Sequence, residues 1–191
     1  MTNFLRLPRL ALTIALVGAA VALLATSAAF GASTPSAPAG GSIQIFSFST
    51  SPDGGSGSIL ITGAIGDHGR TLSTNESGNP DPNGDYVKVT LTKGTFEINA
   101  TKLVAKANHA SPTFSQASCS AALSVTSPVT LLNGTGLYKG ITGTVHVTAS
   151  DAFILPRLTS GTNTGQCNES NSAQPVASLQ LVDGTGTVRF G

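Results

Sequence analysis

From residue 42 to the C-terminus, hydrophobic positions recur with a period of two. That spacing belongs to strands with one buried face, and no segment carries the 3.6-residue period of an amphipathic helix. Ile43 and Ile45 share one face of a first strand, and Phe46 and Phe48 take the other. Residues 58–65 are apolar on both faces, at Ile59, Leu60 and Ile61. Val87, Val89 and Leu91 alternate with Lys88, Thr90 and Thr92; after a Lys93-Gly94 turn, a run over 95–107 groups Phe96, Ile98 and Ala100. Further strands are expected through Cys119, Ala121, Leu123 and Val125, and at 129–132, 141–149, 152–158, 176–182 and 187–190. Residues 67–85 read as a polar connection that ends in the turn pair Asn83-Gly84, and 159–174 read as a polar loop. Roughly eight to ten short strands joined by tight turns predict an all-β fold. The architecture expected is a single antiparallel β-barrel, with a β-sandwich as the alternative. Glycines at strand starts favour the barrel, because its tight corners need residues without a Cβ.

The segment Gly134-Thr135-Gly136-Leu137-Tyr138-Lys139-Gly140-Ile141-Thr142-Gly143-Thr144-Val145 concentrates the glycines, and Gly184-Thr185-Gly186-Thr187-Val188 echoes it. It lacks the Gly-x-Gly-x-x-Gly spacing and a following helix, so it has no helix N-terminus to meet a pyrophosphate. It resembles the glycine-rich hairpin of the allene oxide cyclase and dirigent barrel proteins at Gly134, Thr135, Gly136, Tyr138, Gly140, Gly143 and Val145, with Ile141 replacing a small residue. That resemblance implies an eight-stranded barrel around an apolar cavity that steers cyclisation or coupling of a small molecule. It transfers no catalytic residue, because the functional residues of those families lie outside the matched segment. Over its length the chain also resembles secreted actinobacterial proteins of unknown function, through Ile61-Thr62-Gly63-Ala64-Ile65, Lys93-Gly94-Thr95-Phe96 and Gly165-Gln166-Cys167-Asn168-Glu169-Ser170-Asn171.

Arg6 and Arg9 precede an apolar run over 10–24 and a small-residue stretch ending near Gly31. This is the layout of a secretory signal peptide, expected at 1–31 and followed by a flexible leader at 32–41 and the barrel at 42–191. An uncleaved N-terminal membrane anchor is the alternative; after cleavage no stable membrane span is expected. Beyond residue 31 lie all nine acidic residues and all the basic ones except Arg6 and Arg9, so the charge is nearly balanced. That gives no electrostatic reason to expect a nucleic acid partner. In an oxidising compartment Cys119 and Cys167 are expected to pair. Closing that loop stabilises by about 4 kcal/mol in the chain-entropy model.

Candidate chemistry is sparse. Asp81, Asn83 and Asp85 have the alternate oxygen spacing of a calcium loop, but Tyr86 and Thr92 stand where an EF-hand wants Gly and Glu. His68, His109 and His146 lie on separate segments without a short-spaced ligand pair. His146, with Tyr138 or Tyr86, is a candidate acid–base group if it faces a barrel lumen. No cofactor is implied, and no Gly-x-Ser-x-Gly elbow or carboxylate pair suggests hydrolysis. Asn75, Asn99, Asn133 and Asn168 begin glycosylation-type triplets that also suit polar turns. The expected function is non-catalytic: binding of a small apolar ligand or a surface partner. An isomerase or cyclase acting on a small hydrophobic molecule and a structural envelope protein are the alternatives. A lumen plugged by Phe46, Phe48, Phe96 and Phe153 would defeat the ligand and cyclase readings, whereas an aliphatic-lined cavity favours binding.

Overall fold

The computed structural model describes residues 39–51, 55–170 and 172–191. The expected signal peptide lies outside the described residues. Of the expected leader, Gly40 and Gly41 already belong to β1 (Gly40–Ser49). Alternating sequence then builds β2 (Ser56–Gly63), β3 (Asp67–Thr74), β4 (Tyr86–Leu91) and β5 (Gly94–Asn99) as an antiparallel meander. Helix α1 (Thr101–His109) and short β6 (Thr113–Ser115) lead into three long strands, β7 (Ser120–Leu132), β8 (Thr142–Ile154) and β9 (Ala177–Arg189). β9 pairs along the whole of β1, and β5 meets β7 at Glu97–Leu132, Ile98–Leu131 and Asn99–Thr130. This closes an antiparallel barrel of eight strands, with β6 added beside the start of β7.

Several expected boundaries move. β3 was expected to be connection: its inward positions Asp67, Gly69, Thr71 and Ser73 carry no large apolar side chain, so no hydrophobic alternation marks it. The run expected over 95–107 stops at Asn99, and residues 101–109 form α1, whose Leu103 and Val104 pack on the core. Helix formers such as Lys102, Leu103, Ala105 and Lys106 outweigh the alternation of Phe96, Ile98 and Ala100 once β5 has ended.

Two of the long strands absorb residues that resemble a break. β7 runs through Pro128 because β6 and β5 pair only with its two ends. On the unpaired edge between them, the Thr126 carbonyl takes a 2.8 Å bond from Lys106 Nζ of α1. Residue 128 presents its nitrogen to that same edge two positions on, so the N–H that proline lacks is not needed by the ladder. β9 likewise continues through Asp183-Gly184-Thr185-Gly186. There it crosses β8 so closely that a Cβ on Gly186 would sit 2.6 Å from Val145 Cα.

Buried Ile43, Ile45, Ile59, Ile61, Val89, Leu91, Phe96, Leu131, Val145 and Val188 fill the interior. Phe46 and Phe48 do not plug the lumen: they point outward, 41% and 54% exposed, beside Leu60 and Leu181. At the far end of the long strands, Cys119 and Cys167 form the disulfide, with Cα atoms 5.3 Å apart. Arg157 reinforces that connection by donating to the carbonyls of Gly165 and Ala117, each at 2.7 Å.

Replacing both cysteines by serine is expected to lower unfolding free energy by about 2–5 kcal/mol, read by denaturant melts with and without reductant. Identical melting of the oxidised and reduced wild type would contradict a stabilising role.

Candidate functional site

The barrel interior divides into a packed end and an open end. At the packed end, the glycine-rich segment after β7 forms a single 3-10 turn, Gly136–Tyr138, that folds across the opening. Gly136 has φ +59°, and a Cβ there would lie 2.4 Å from the Lys93 carbonyl oxygen. Only glycine fits so close to the β4–β5 turn in a left-handed conformation. Leu137 N–H donates to the Lys93 carbonyl at 3.0 Å and Thr135 N–H to that of Thr95 at 2.8 Å. The Tyr138 ring is thereby driven inward, 2% exposed, edge-on to Phe96 with ring centroids 5.8 Å apart.

The phenol of Tyr138 ends on Asp67, a buried carboxylate at the start of β3. Tyr138 O–H and Lys93 N–H donate to Oδ2 at 2.5 and 3.1 Å. Thr92 O–H and His68 N–H donate to Oδ1 at 2.6 and 2.7 Å. Burial pushes this carboxyl upward, but the bonds from Thr92, Tyr138, His68 and Lys93 outweigh it and hold the group well below the usual carboxylate range. Burial, the bond to Asp67 and the carboxylate charge push the Tyr138 phenol above its ordinary value. Tyr138 is a fixed neutral donor.

At the open end, a cavity of about 270 Å³ lies inside the barrel beneath α1. Its walls are mainly aliphatic, with Ile45, Ile59, Val87, Ile98, Val129 and Val147, and Leu103 and Val104 of α1 close over it. Ser47, Ser49, Thr71, Ser73 and Gln180 supply neutral polar groups. Ser49 Oγ is committed to the Ser56 carbonyl. A largely apolar concavity with a few convergent polar groups is the ordinary form of a small-molecule site, although this volume is at the small end.

The candidates singled out in the sequence do not converge there. His146 is exposed on the outer face of β8, opposite Pro128 and Thr185. Tyr86 stands on the outer face of β4, where its hydroxyl accepts a 3.2 Å bond from Asn99 Nδ2. Burial and the nearby charges of Glu76, Asp85 and Glu97 raise its phenol. Tyr138 does face inward, but in the packed end and not the cavity. Asp81 and Asn83 form a local turn in which Asp81 Oδ1 accepts the Asn83 N–H at 3.0 Å. The Asp85 carbonyl accepts the Ala100 N–H at 2.8 Å. Among the described residues no three His, Cys, Asp or Glu side chains group as a metal site requires. No helix among the described residues is long and apolar enough to cross a membrane.

Sequence alone gives little sign of Asp67, which stands in a polar stretch beside His68 and takes its other donors from turns far along the chain. The sequence signal is an acidic residue at the head of an alternating Asp-x-Gly-x-Thr-x-Ser pattern. Comparison with protein-family models, curated proteins and solved structures finds no match to this chain.

Two expectations follow from the Asp67 cluster. Tyr138→Phe keeps the ring contact and removes one charge-assisted bond, and should cost about 1.5–3 kcal/mol. In a domain of this size Tm should drop by roughly 3–12 °C in thermal melts. The carboxyl is depressed in the folded state, so its contribution is complete above the unfolded pKa of about 3.9 and is lost as pH falls toward the folded value. The Tm difference between wild type and Asp67→Asn should therefore be largest near neutrality and narrow steadily below about pH 4. An unchanged difference down to pH 2 would contradict it.

Proposed function

We propose that this chain is an exported, non-catalytic barrel that takes up a small apolar molecule through its open end. One observation carries the reading: inward side chains with Tyr138 and Phe96 pack one end of the barrel, and an aliphatic-walled cavity of about 270 Å³ lies at the other. Burial of an apolar ligand there needs no charged partner, since each buried methylene contributes about 0.8 kcal/mol. An isomerase or cyclase would draw on His146, Tyr86 or Tyr138, and none of the three lines the cavity. The outward cluster of Phe46, Phe48, Leu60 and Leu181 supports a second reading, in which the barrel wall meets a surface partner.

The neutral probe N-phenyl-1-naphthylamine tests the first reading. It should bind saturably at one site per chain. Ser47→Phe, which fills the cavity from β1, should weaken it about ten-fold or more with the β-sheet circular dichroism retained. Phe48→Ser on the outer face should leave it unaltered. Absent binding, or binding abolished only by Phe48→Ser, would overturn the lumen reading.

A further inference from the structure

The open end of the barrel has a second compartment that the aliphatic cavity alone does not explain. β7, β8 and β9 extend past the other strands: β1 ends at Ser49, opposite Gln180, and β5 ends at Asn99, opposite Thr130. The inner face of this overhang, with Pro112, Pro175 and Leu155, borders a further open concavity of about 470 Å³. Leu123 and Phe153 give it apolar walls. Gln180 lines both compartments, so it stands where one opens toward the other.

Asp151 of β8 is paired with Gln180 across the β8–β9 ladder, and Gln180 Nε2 donates to Asp151 Oδ1 at 2.9 Å. Among the described residues lining either compartment, Asp151 is the only ionisable one. The described residues give its second oxygen, Oδ2, no hydrogen-bond donor, and the side chain is half-buried. Asp67, the other acid on an inward face, is by contrast enclosed by four donors. A carboxylate with a free oxygen at the neck of an apolar cavity rewards a ligand that brings a donor, and most of all one that brings a positive charge. It disfavours a ligand that brings a second carboxylate, because like charges at close range in a partly desolvated site repel.

We infer that the ligand is an aliphatic amine: its apolar body fills the inner cavity and its ammonium nitrogen donates to Asp151 at the neck. Gln180 holds the carboxylate in place from the other side. The outer compartment leaves room for a substituent beyond the nitrogen. This inference rests on the lumen-binding reading and specifies the class of molecule bound.

Displacement of N-phenyl-1-naphthylamine by decylamine, decan-1-ol and decanoate at pH 7 tests it. The amine should displace most tightly, the alcohol next and decanoate at least ten-fold more weakly than the amine, the factor that one charge-assisted hydrogen bond supplies. Asp151→Asn should bring the amine and decanoate within about three-fold of each other, and the amine's advantage over the alcohol should shrink with it. Gln180→Met, which frees Oδ1 while keeping similar bulk, should widen the preference for amine over alcohol; it provides an independent reading if Asp151→Asn does not fold. If the probe itself does not bind, the lumen reading falls and the amine inference falls with it. If the probe binds and the three compounds displace it equally, or the amine preference survives Asp151→Asn, only the amine inference is overturned.

Discussion

The four-donor cage around the Asp67 carboxylate is the interaction on which the rest of the barrel's shape depends. An ionised group this deeply buried is tolerable only when its oxygens are fully occupied. Its donors come from the start of β3, from the turn between β4 and β5, and from the 3-10 turn after β7. Withdrawing any of those segments exposes the same charge to an unmet cost, so they hold together as a unit. Gly136 serves this arrangement, since it lets the chain pass close enough to Lys93 for Tyr138 to reach the carboxylate.

Once one end is sealed, the remaining free volume is confined to the other. The division is visible along single strands. On β1 the inward positions change from Ile43 and Ile45 to Ser47 and Ser49. On β3, which runs parallel to β1 with β2 between them, they change in the same chain direction, from Asp67 and Gly69 at the sealed end to Thr71 and Ser73 at the cavity. Small hydroxyl side chains leave space that isoleucine would fill, and they line it without charge. α1 covers that space with Leu103 and Val104, and its Lys106 satisfies the β7 edge left open between β5 and β6.

The strand faces were legible because burial on one side imposes a two-residue period, as at Ile43, Ile45, Val87, Val89 and Leu91. The disulfide was legible from cysteine number and the expected export. β3 was not, because a strand facing a buried carboxylate and a small-residue cavity needs no large apolar side chain. The unbroken course of β7 and β9 was hidden for a related reason. Pro128 and Gly184-Thr185-Gly186 are turn signals locally, and only the unpaired edge of β7 and the close β8–β9 approach make them compatible with a strand. The candidate site was less legible still. Asp151 and Gln180 are ordinary polar residues until the overhang of three strands pairs them on its inner face, with Gln180 also lining the cavity.

Two inward acids thus sit in opposite circumstances. Asp67 and Tyr138 have the residue types of an acid–base pair, but each satisfies the other, and packed Phe96, Ile45 and Ile61 occupy the interior around them. A proton on that phenol has no incentive to move, because losing it would place a second negative charge beside the first. Asp151 stands on the inner face of the overhang, and the described residues lining the two compartments include no tyrosine or histidine. On the proposed reading, a carboxylate with a free oxygen and no second titratable group among the described lining residues serves recognition. Under the binding reading proposed above, the difference between a carboxylate locked into the fold and one free to meet a ligand follows from the separation of these two acids to opposite ends of one barrel.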